Sequence, residues 1–158
     1  MTELRVVGFD PSMDHWGAVK GTLLISDNRT EFRPEEIAVM HKTVQKHKTV
    51  RQNSTDLQVS TDLAYRVQEF LGDVRIVFAE MPVGSQNAAA MKGYGICLGL
   101  LGAIQANGTT LFQLMPKAVK KAVTGRETAT KAEMIEWATG LYPTLPWPTH
   151  RGKLVAGS

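Results

Sequence analysis

The sequence predicts an α/β fold on a mixed, five-stranded central sheet flanked by helices, with the element order βββαβαβαα. Three observations favour it. Short apolar and β-branched segments fill the first third of the chain, with connections short enough for hairpins. From residue 57 onwards, apolar residues recur at helical spacing. Strand-like and helix-like segments then alternate, which is typical of strands that are joined through helices.

The predicted elements follow from local signals. A turn signal over residues 26–28 ends the second strand, Gly72 closes the first helix, and Thr130 with Glu133 matches the capping box that opens the last helix. The predicted strands are 4–10, 16–26, 36–44, 75–80 and 109–114, and the predicted helices are 57–72, 88–106, 116–125 and 130–140. The glycines of the 88–106 helix predict close packing against the sheet or against a partner helix.

Composition predicts one domain over residues 1–158. The chain is 43% hydrophobic with a net charge of +3, which excludes a disordered protein. Its single cysteine, Cys97, is expected to be a buried thiol. The longest apolar stretch, 96–106, is too short to cross a bilayer and the N-terminus does not resemble a signal peptide, so we expect an intracellular, cytoplasmic protein with no membrane partner.

Two carboxylates each follow a predicted buried strand. Asp10 ends the first strand and Glu80 ends the fourth. If these strands are neighbours, both carboxylates lie at the sheet edge where open α/β folds bind ligands. Carboxylates are hard oxygen ligands, so the pair predicts a site for Mg²⁺, with Mn²⁺ as a substitute. A strand-end Asp taken alone is often only a turn former.

Basic residues gather in two segments, 117–131 and 41–53. The two last helices and the turn between them carry five cations, Lys117, Lys120, Lys121, Arg126 and Lys131. A cation in the first turn of a helix opposes the helix dipole, so Lys131 indicates an anionic partner, and the helix start at Thr130 offers N–H groups to a phosphate.

A solvated basic face explains these cations equally well. The polar, basic segment 41–53 is either a solvated strand end and loop or a basic flap over a nucleic-acid groove.

Three motifs, in order and spacing, resemble those of RuvC-type Holliday junction resolvases. The first is GFDPS at 8–12 with GAV at 17–19, and the second is Glu80 with Asn87–Ala88 before a glycine-rich helix. The third is PKAVKKAVTG at 116–125 followed by ATK at 129–131. Together they span residues 4 to about 141.

The resemblance implies an RNase H-like fold and a homodimer that cuts four-way DNA junctions by metal-dependent phosphodiester hydrolysis, in recombination and repair. It implies two-metal chemistry, in which one ion activates the attacking water and the other stabilises the leaving 3′ oxygen. It assigns Asp10 and Glu80 as metal-binding catalytic carboxylates, and Lys120 and Lys131 as lysines near the scissile phosphate. The expected DNA-binding residues are Asn87, Lys92, Lys117, Lys120, Lys121, Arg126 and Lys131. No small-molecule cofactor is expected, and the 91–106 stretch is the candidate dimer contact, with burial against its own sheet as the alternative.

The sequence departs from this family in two places. The family completes its site with an acidic pair on a final helix, which is missing here, so we expect a domain truncated before that helix and, if this chain is the whole protein, weak or no cleavage. His150 is a substitute ligand or a solvated loop residue. Where some members carry an aromatic wedge that unstacks bases, this chain has Val83, which leaves Met81 or Tyr94 for that role.

Two other functions remain open. A branched-DNA-binding protein without cleavage activity would keep the basic residues and lose the chemistry. A nucleotide-binding member of the same superfamily would also begin with an acidic strand end, but the chain lacks a second phosphate-loop motif and is short for two lobes.

Overall fold

The computed structural model describes residues 1–43, 49, 51–150 and 153–154, with the backbone alone for residues 150, 153 and 154. The order βββαβαβαα is confirmed and is followed by a small two-stranded hairpin. The elements are β1 (Thr2–Asp10), β2 (His15–Ser26), β3 (Arg29–His41), α1 (Gln52–Leu71), β4 (Ile76–Glu80), α2 (Ala88–Ala106), β5 (Thr110–Leu114), α3 (Pro116–Thr124), α4 (Lys131–Leu141), β6 (Thr149–His150) and β7 (Lys153–Leu154).

The five long strands form one mixed sheet in the order β3-β2-β1-β4-β5. The first three strands make an antiparallel meander, whereas β1, β4 and β5 run parallel. β1 and β4 are direct neighbours in the middle of the sheet, with Val7 opposite Val77 and Phe9 opposite Ala79. The predicted mixed sheet is therefore confirmed, and so is the predicted adjacency of the two strands that end in carboxylates.

The hydrophobic core lies between the sheet and the helices α1 and α2. Alternate residues of the central strands, Val7 and Val77 among them, face this core and are fully buried. The ring of Phe9 packs edge-on against Trp16, with ring centroids 5.5 Å apart. The helices contribute Val59, Leu63, Val67, Phe70 and Leu71 from α1, and Cys97, Leu101 and Ile104 from α2. The predicted burial of Cys97 is confirmed.

The C-terminal part of the chain is packed more loosely. Neither α3 nor α4 contains a buried residue. Just after α4, the Tyr142 hydroxyl donates a 3.2 Å hydrogen bond to the Phe32 carbonyl oxygen, and the two rings meet edge to face. Glycine is required at position 21 beside Phe32, because a Cβ atom there would lie 2.2 Å from the Arg33 carbonyl oxygen.

Two predicted elements had wrong boundaries. β3 covers Arg29–His41 instead of 36–44, because residues 27–28 form a tight hairpin and β3 pairs with the whole of β2. Its first half is a polar, solvated edge strand, so it lacks the apolar alternation that reveals a strand. The helix α1 begins at Gln52, five residues before the predicted start. The sequence did not reveal this start because the first turn carries mostly polar residues, which give no apolar periodicity.

Candidate active site

The carboxylates Asp10 and Glu80 meet at the carboxyl ends of β1 and β4. Phe9 pairs with Ala79 in the parallel ladder, so Asp10 and Glu80 are the next residues of two adjacent strands. Because side chains alternate along a strand, both carboxylates point away from the face that holds Phe9 and Ala79. The facing residue on β2 is Gly17, where a Cβ atom would lie 3.4 Å from the Asp10 Cβ atom. Glycine therefore leaves the space beside Asp10 open.

The two carboxylates line a cavity of about 150 Å³. The chain just after β4 forms one wall with Met81, Pro82 and Val83, and α2 contributes Tyr94. The remaining lining residues are Pro11 and Pro116, which follow β1 and open α3. Three prolines among eight lining residues fix the shape of the cavity, because a proline backbone has little freedom at φ.

The pKa values of both carboxyl groups are raised. Burial, and then the neighbouring Glu80 carboxylate, raise the pKa of Asp10 to about 7, while Lys131 acts in the opposite direction. Burial also raises the pKa of Glu80 above its ordinary value, against the lowering effects of Lys120 and Lys131. Desolvated acids with shifted pKa values are common where proteins bind metals or do chemistry. A cation bound at this acidic pair would therefore stabilise the ionised form of both carboxylates.

The predicted catalytic lysines approach this pair from the two C-terminal helices. Lys120 lies on α3 and is partly buried, and Lys131 is the first residue of α4. Both are close enough to lower the pKa of Glu80. The structure thus places Lys120 and Lys131 near the carboxylate pair, and the catalytic roles of these four residues stay a prediction. The other α3 lysines, Lys117 and Lys121, are exposed on the same helix.

The donor set fits a hard divalent cation. Asp10 and Glu80 supply two adjacent carboxylates in a partly desolvated pocket, and Mg²⁺ commonly uses one or two carboxylates together with water or phosphate oxygens. In the part of the chain that the structure describes, no cluster of three or more His, Cys, Asp or Glu side chains could hold a metal. The side chain of His150, the proposed substitute ligand, lies outside the described residues.

Three of the predicted DNA-binding residues have structural partners. The Asn87 Oδ1 atom caps α2 by accepting hydrogen bonds from the backbone N–H groups of Ala89 and Ala90. The Lys92 Nζ atom lies 2.7 Å from an oxygen of the buried Asp56, which ties α2 to α1.

Arg126, the third of these residues, pairs with Glu133. The capping box of α4 is confirmed: the Glu133 carboxylate accepts from the Thr130 N–H, and the Thr130 hydroxyl accepts from the Glu133 N–H. The N–H groups of Thr130 and Glu133 are therefore used within the capping box, and neither is free for the phosphate expected at this helix start.

Three of the four glycines of α2 do not pack against the rest of the chain. The helix buries Cys97, Leu101 and Ile104, whereas a Cβ atom added at Gly95, Gly99 or Gly102 would meet nothing within 4 Å. These three glycines lie on the opposite side of the helix together with Met91 and Leu98, which are 45% and 43% exposed. We call these five residues the outward face of α2. The alternative to a dimer contact, burial of the helix against its own sheet, holds for the side that carries Cys97, Leu101 and Ile104 and not for the outward face.

The helix α2 is also the one helix in the described ranges that is long and apolar enough to cross a membrane. Its inner side contributes Cys97, Leu101 and Ile104 to the domain core. The basic segment 41–53, for which both a solvated loop and a basic flap were open, is described only in part, because Lys46, His47 and Lys48 lie outside the described residues. Near its start, the Lys42 Nζ atom is 3.9 Å from an Asp14 carboxylate oxygen.

The sequence predicted the charged residues of the site but not which residues line the cavity around them. Pro116 was predicted as a helix start and Tyr94 only as a substitute wedge, although both line the cavity of the carboxylates. The spacing of Tyr94 from Glu80 carries no signal by itself, because the two residues meet only through the packing of α2 on the sheet. Gly17 was part of a recognised motif, but its role beside Asp10 required the β1–β2 register.

The fold is similar to that of solved Holliday junction resolvases. A structure of Thermus thermophilus RuvC in complex with Holliday junction substrate matches with a TM-score of 0.66 and 20% identity, over 94% of this chain and 85% of that one. A second Thermus thermophilus RuvC structure matches with a TM-score of 0.65 and 19% identity, over 96% and 87% of the two chains. The yeast mitochondrial Holliday junction resolvase Ydc2 matches with a TM-score of 0.50 and 16% identity, over 87% and 71%.

Comparison by sequence finds no relative of this chain. No family model matches it and no curated protein is similar to it at a significant level. The structural comparison therefore adds what sequence similarity does not: the five-stranded mixed sheet and its helices match over most of both chains. The chain has the RNase H-like fold of the RuvC Holliday junction resolvases.

Proposed function

We propose that this protein is a structure-selective endonuclease, a crossover junction endodeoxyribonuclease that hydrolyses phosphodiester bonds of four-way or otherwise branched DNA with a divalent metal, Mg²⁺ or Mn²⁺. The observation that carries the proposal is the pair Asp10 and Glu80 on adjacent strand ends, with Lys120 and Lys131 beside it, in the fold of RuvC resolvases. The RuvC structure with a Holliday junction substrate supports branched DNA as the partner.

The residues divide the chemistry between them. Asp10 and Glu80 would hold the metal, which supplies Lewis-acid activation of a water and of the phosphate when bound. Their desolvation strengthens that interaction, because a cation offsets the cost of two buried negative charges. Lys120 and Lys131 would hold the scissile phosphate against the carboxylates and balance its charge. Lys117 and Lys121 would bind flanking phosphates from the exposed side of α3.

The test is cleavage of a synthetic four-way junction in Mg²⁺, with linear duplex of the same sequence as the comparison substrate. The wild type should nick the junction in preference to the duplex, and Glu80→Gln should reduce the rate by at least about a hundredfold while leaving junction binding in Ca²⁺ intact. Glu3→Gln, at the other end of the sheet, is the matched control and should cleave at the wild-type rate. Equal cleavage by wild type and Glu80→Gln would contradict the proposed mechanism.

A second candidate function is branched-DNA binding without cleavage. It is favoured by one observation: in the described ranges only two carboxylates meet at the site, and no larger ligand cluster forms. In the same assay this function would appear as junction binding that weakens steeply with salt, with no cleavage in Mg²⁺ or Mn²⁺.

We also propose that the protein is a homodimer that uses the outward face of α2. Glycines let helices approach closely, and here Gly95, Gly99 and Gly102 form an open strip beside the exposed Met91 and Leu98. A two-fold dimer would present two active sites to a two-fold symmetric junction.

The variant Gly99→Leu tests the dimer, because its side chain fits the single chain but would separate two packed helices. It should be monomeric by light scattering and retain its fold by circular dichroism. A Gly99→Leu protein with the wild-type mass in solution would contradict this interface.

A further inference from the structure

We propose that Tyr94 is a substrate-contacting residue whose phenol hydroxyl donates a hydrogen bond to a non-bridging oxygen of the scissile phosphate. This inference rests on the proposed function, because it assigns a role within the same cavity. Tyr94 lies on α2, two turns before the buried Leu101, and its side chain lines the cavity that contains Asp10 and Glu80.

The composition of the cavity wall points to this role. Apart from the carboxylates and Tyr94, the lining residues identified in the described ranges are three prolines, Met81 and Val83, whose side chains donate no hydrogen bond. The two carboxylates accept hydrogen bonds when ionised. The Tyr94 hydroxyl is therefore the one side-chain donor among these lining residues. Lys120 and Lys131 would donate to the phosphate from α3 and α4, and on this wall Tyr94 is the residue that can donate to its oxygens, which only accept.

The residues on either side of Tyr94 add no side chains near it. Gly93 and Gly95 precede and follow it on α2. A Cβ atom at Gly95 would meet nothing within 4 Å, and one at Gly93 would only touch the Met13 Cβ atom at 3.9 Å. The start of α2 is held in place by the Asn87 cap and by the pairing of Lys92 with Asp56. Tyr94 is therefore presented from a fixed helix, as a positioning contact requires.

The experiment compares Tyr94→Phe, which removes only the hydroxyl, with Tyr65→Phe, the same change at an exposed residue of α1. Two quantities are measured on a four-way junction: affinity in Ca²⁺, and the single-turnover cleavage rate at saturating protein across a range of Mg²⁺ concentrations. Tyr94→Phe should cleave about tenfold more slowly, because it loses one hydrogen bond to a charged oxygen. Its Mg²⁺ midpoint and unfolding temperature should equal those of the wild type, and Tyr65→Phe should match the wild type throughout.

Three results would overturn the inference: wild-type cleavage by Tyr94→Phe, a shifted Mg²⁺ midpoint, which would place the hydroxyl on the metal site, or an equal loss in Tyr65→Phe. The failure of the proposed function is recognised separately, as a wild type that binds the junction and does not cleave it. In that case the junction affinity decides. A Tyr94→Phe protein with several-fold weaker binding keeps the contact, and one with unchanged binding rejects it.

Discussion

The carboxylate pair and the lysine helices, α3 and α4, share one edge of the fold but are held in different ways. Asp10 and Glu80 end two hydrogen-bonded central strands, and burial raises the pKa of each. The lysine helices bury no residue, and Lys117, Lys121 and Lys131 are exposed. The acidic half is therefore placed by the sheet register, whereas the basic half works by charge near a solvated surface. Changes in the first should therefore affect chemistry, and most changes in the second should affect binding.

Lys131 is the sharpest test of this division, because it belongs to the exposed half and yet acts on both carboxylates. Lys131→Met should slow junction cleavage by about a hundredfold, as does the loss of one group that stabilises charge in a transition state. Without this cation the pKa values of Asp10 and Glu80 should rise further, so the acid limb of the pH–rate profile should move to higher pH. Lys121→Met is the control on α3, and an equally slow Lys121→Met protein would refute a special role for Lys131.

The stability of the metal-free protein should depend on Asp10. Its pKa is about 7 in the folded chain and 3.8 in the reference state, so folding favours the protonated acid. This contribution is fully present below about pH 4 and is lost as the pH rises through 7. Asp10→Asn, which mimics the neutral acid, should melt about 5 °C higher than the wild type at pH 8, and the gain should vanish near pH 4.

The measurement is thermal unfolding in chelator at several pH values, with Asp73→Asn as an exposed control. Millimolar Mg²⁺ should raise the melting temperature of the wild type and leave that of Asp10→Asn unchanged, because only a protein that binds the ion is stabilised by it. A pH-independent difference between wild type and Asp10→Asn would contradict the desolvated carboxylate.

The exposed lysines of α3 should show the smallest effect, confined to DNA affinity. Lys117→Met and Lys121→Met should each lower the slope of log affinity against log salt by about 0.9, the contribution of one phosphate contact. Cleavage at saturating protein should stay within about twofold of wild type. Arg29→Met, at the opposite end of the sheet, should leave the salt slope unchanged. If Arg29→Met reduced the slope as much, the DNA path would not be confined to the lysine helices.

Much of this organisation was predictable from sequence because its signals are local. Short apolar runs ending in Asp10 and Glu80 predicted two central strands with acids at their ends, and the capping box at Thr130 predicted the start of α4. What could not be predicted depends on contacts between distant segments. Lys92 read as a DNA-binding cation, but its partner Asp56 is 36 positions away. The orientation of the α2 glycines likewise follows from packing, since the helix is apolar all round.

The most direct test of the carboxylate pair is calorimetric titration of the protein with Mn²⁺ at pH 8. The wild type and Glu3→Gln should bind the ion alike, and Asp10→Asn and Glu80→Gln should each bind it at least about tenfold more weakly. Wild-type affinity should also fall as the pH is lowered through 7, because the ion must displace the proton from Asp10. Mn²⁺ binding by Glu80→Gln that cannot be distinguished from that of the wild type would contradict the metal site at the ends of β1 and β4.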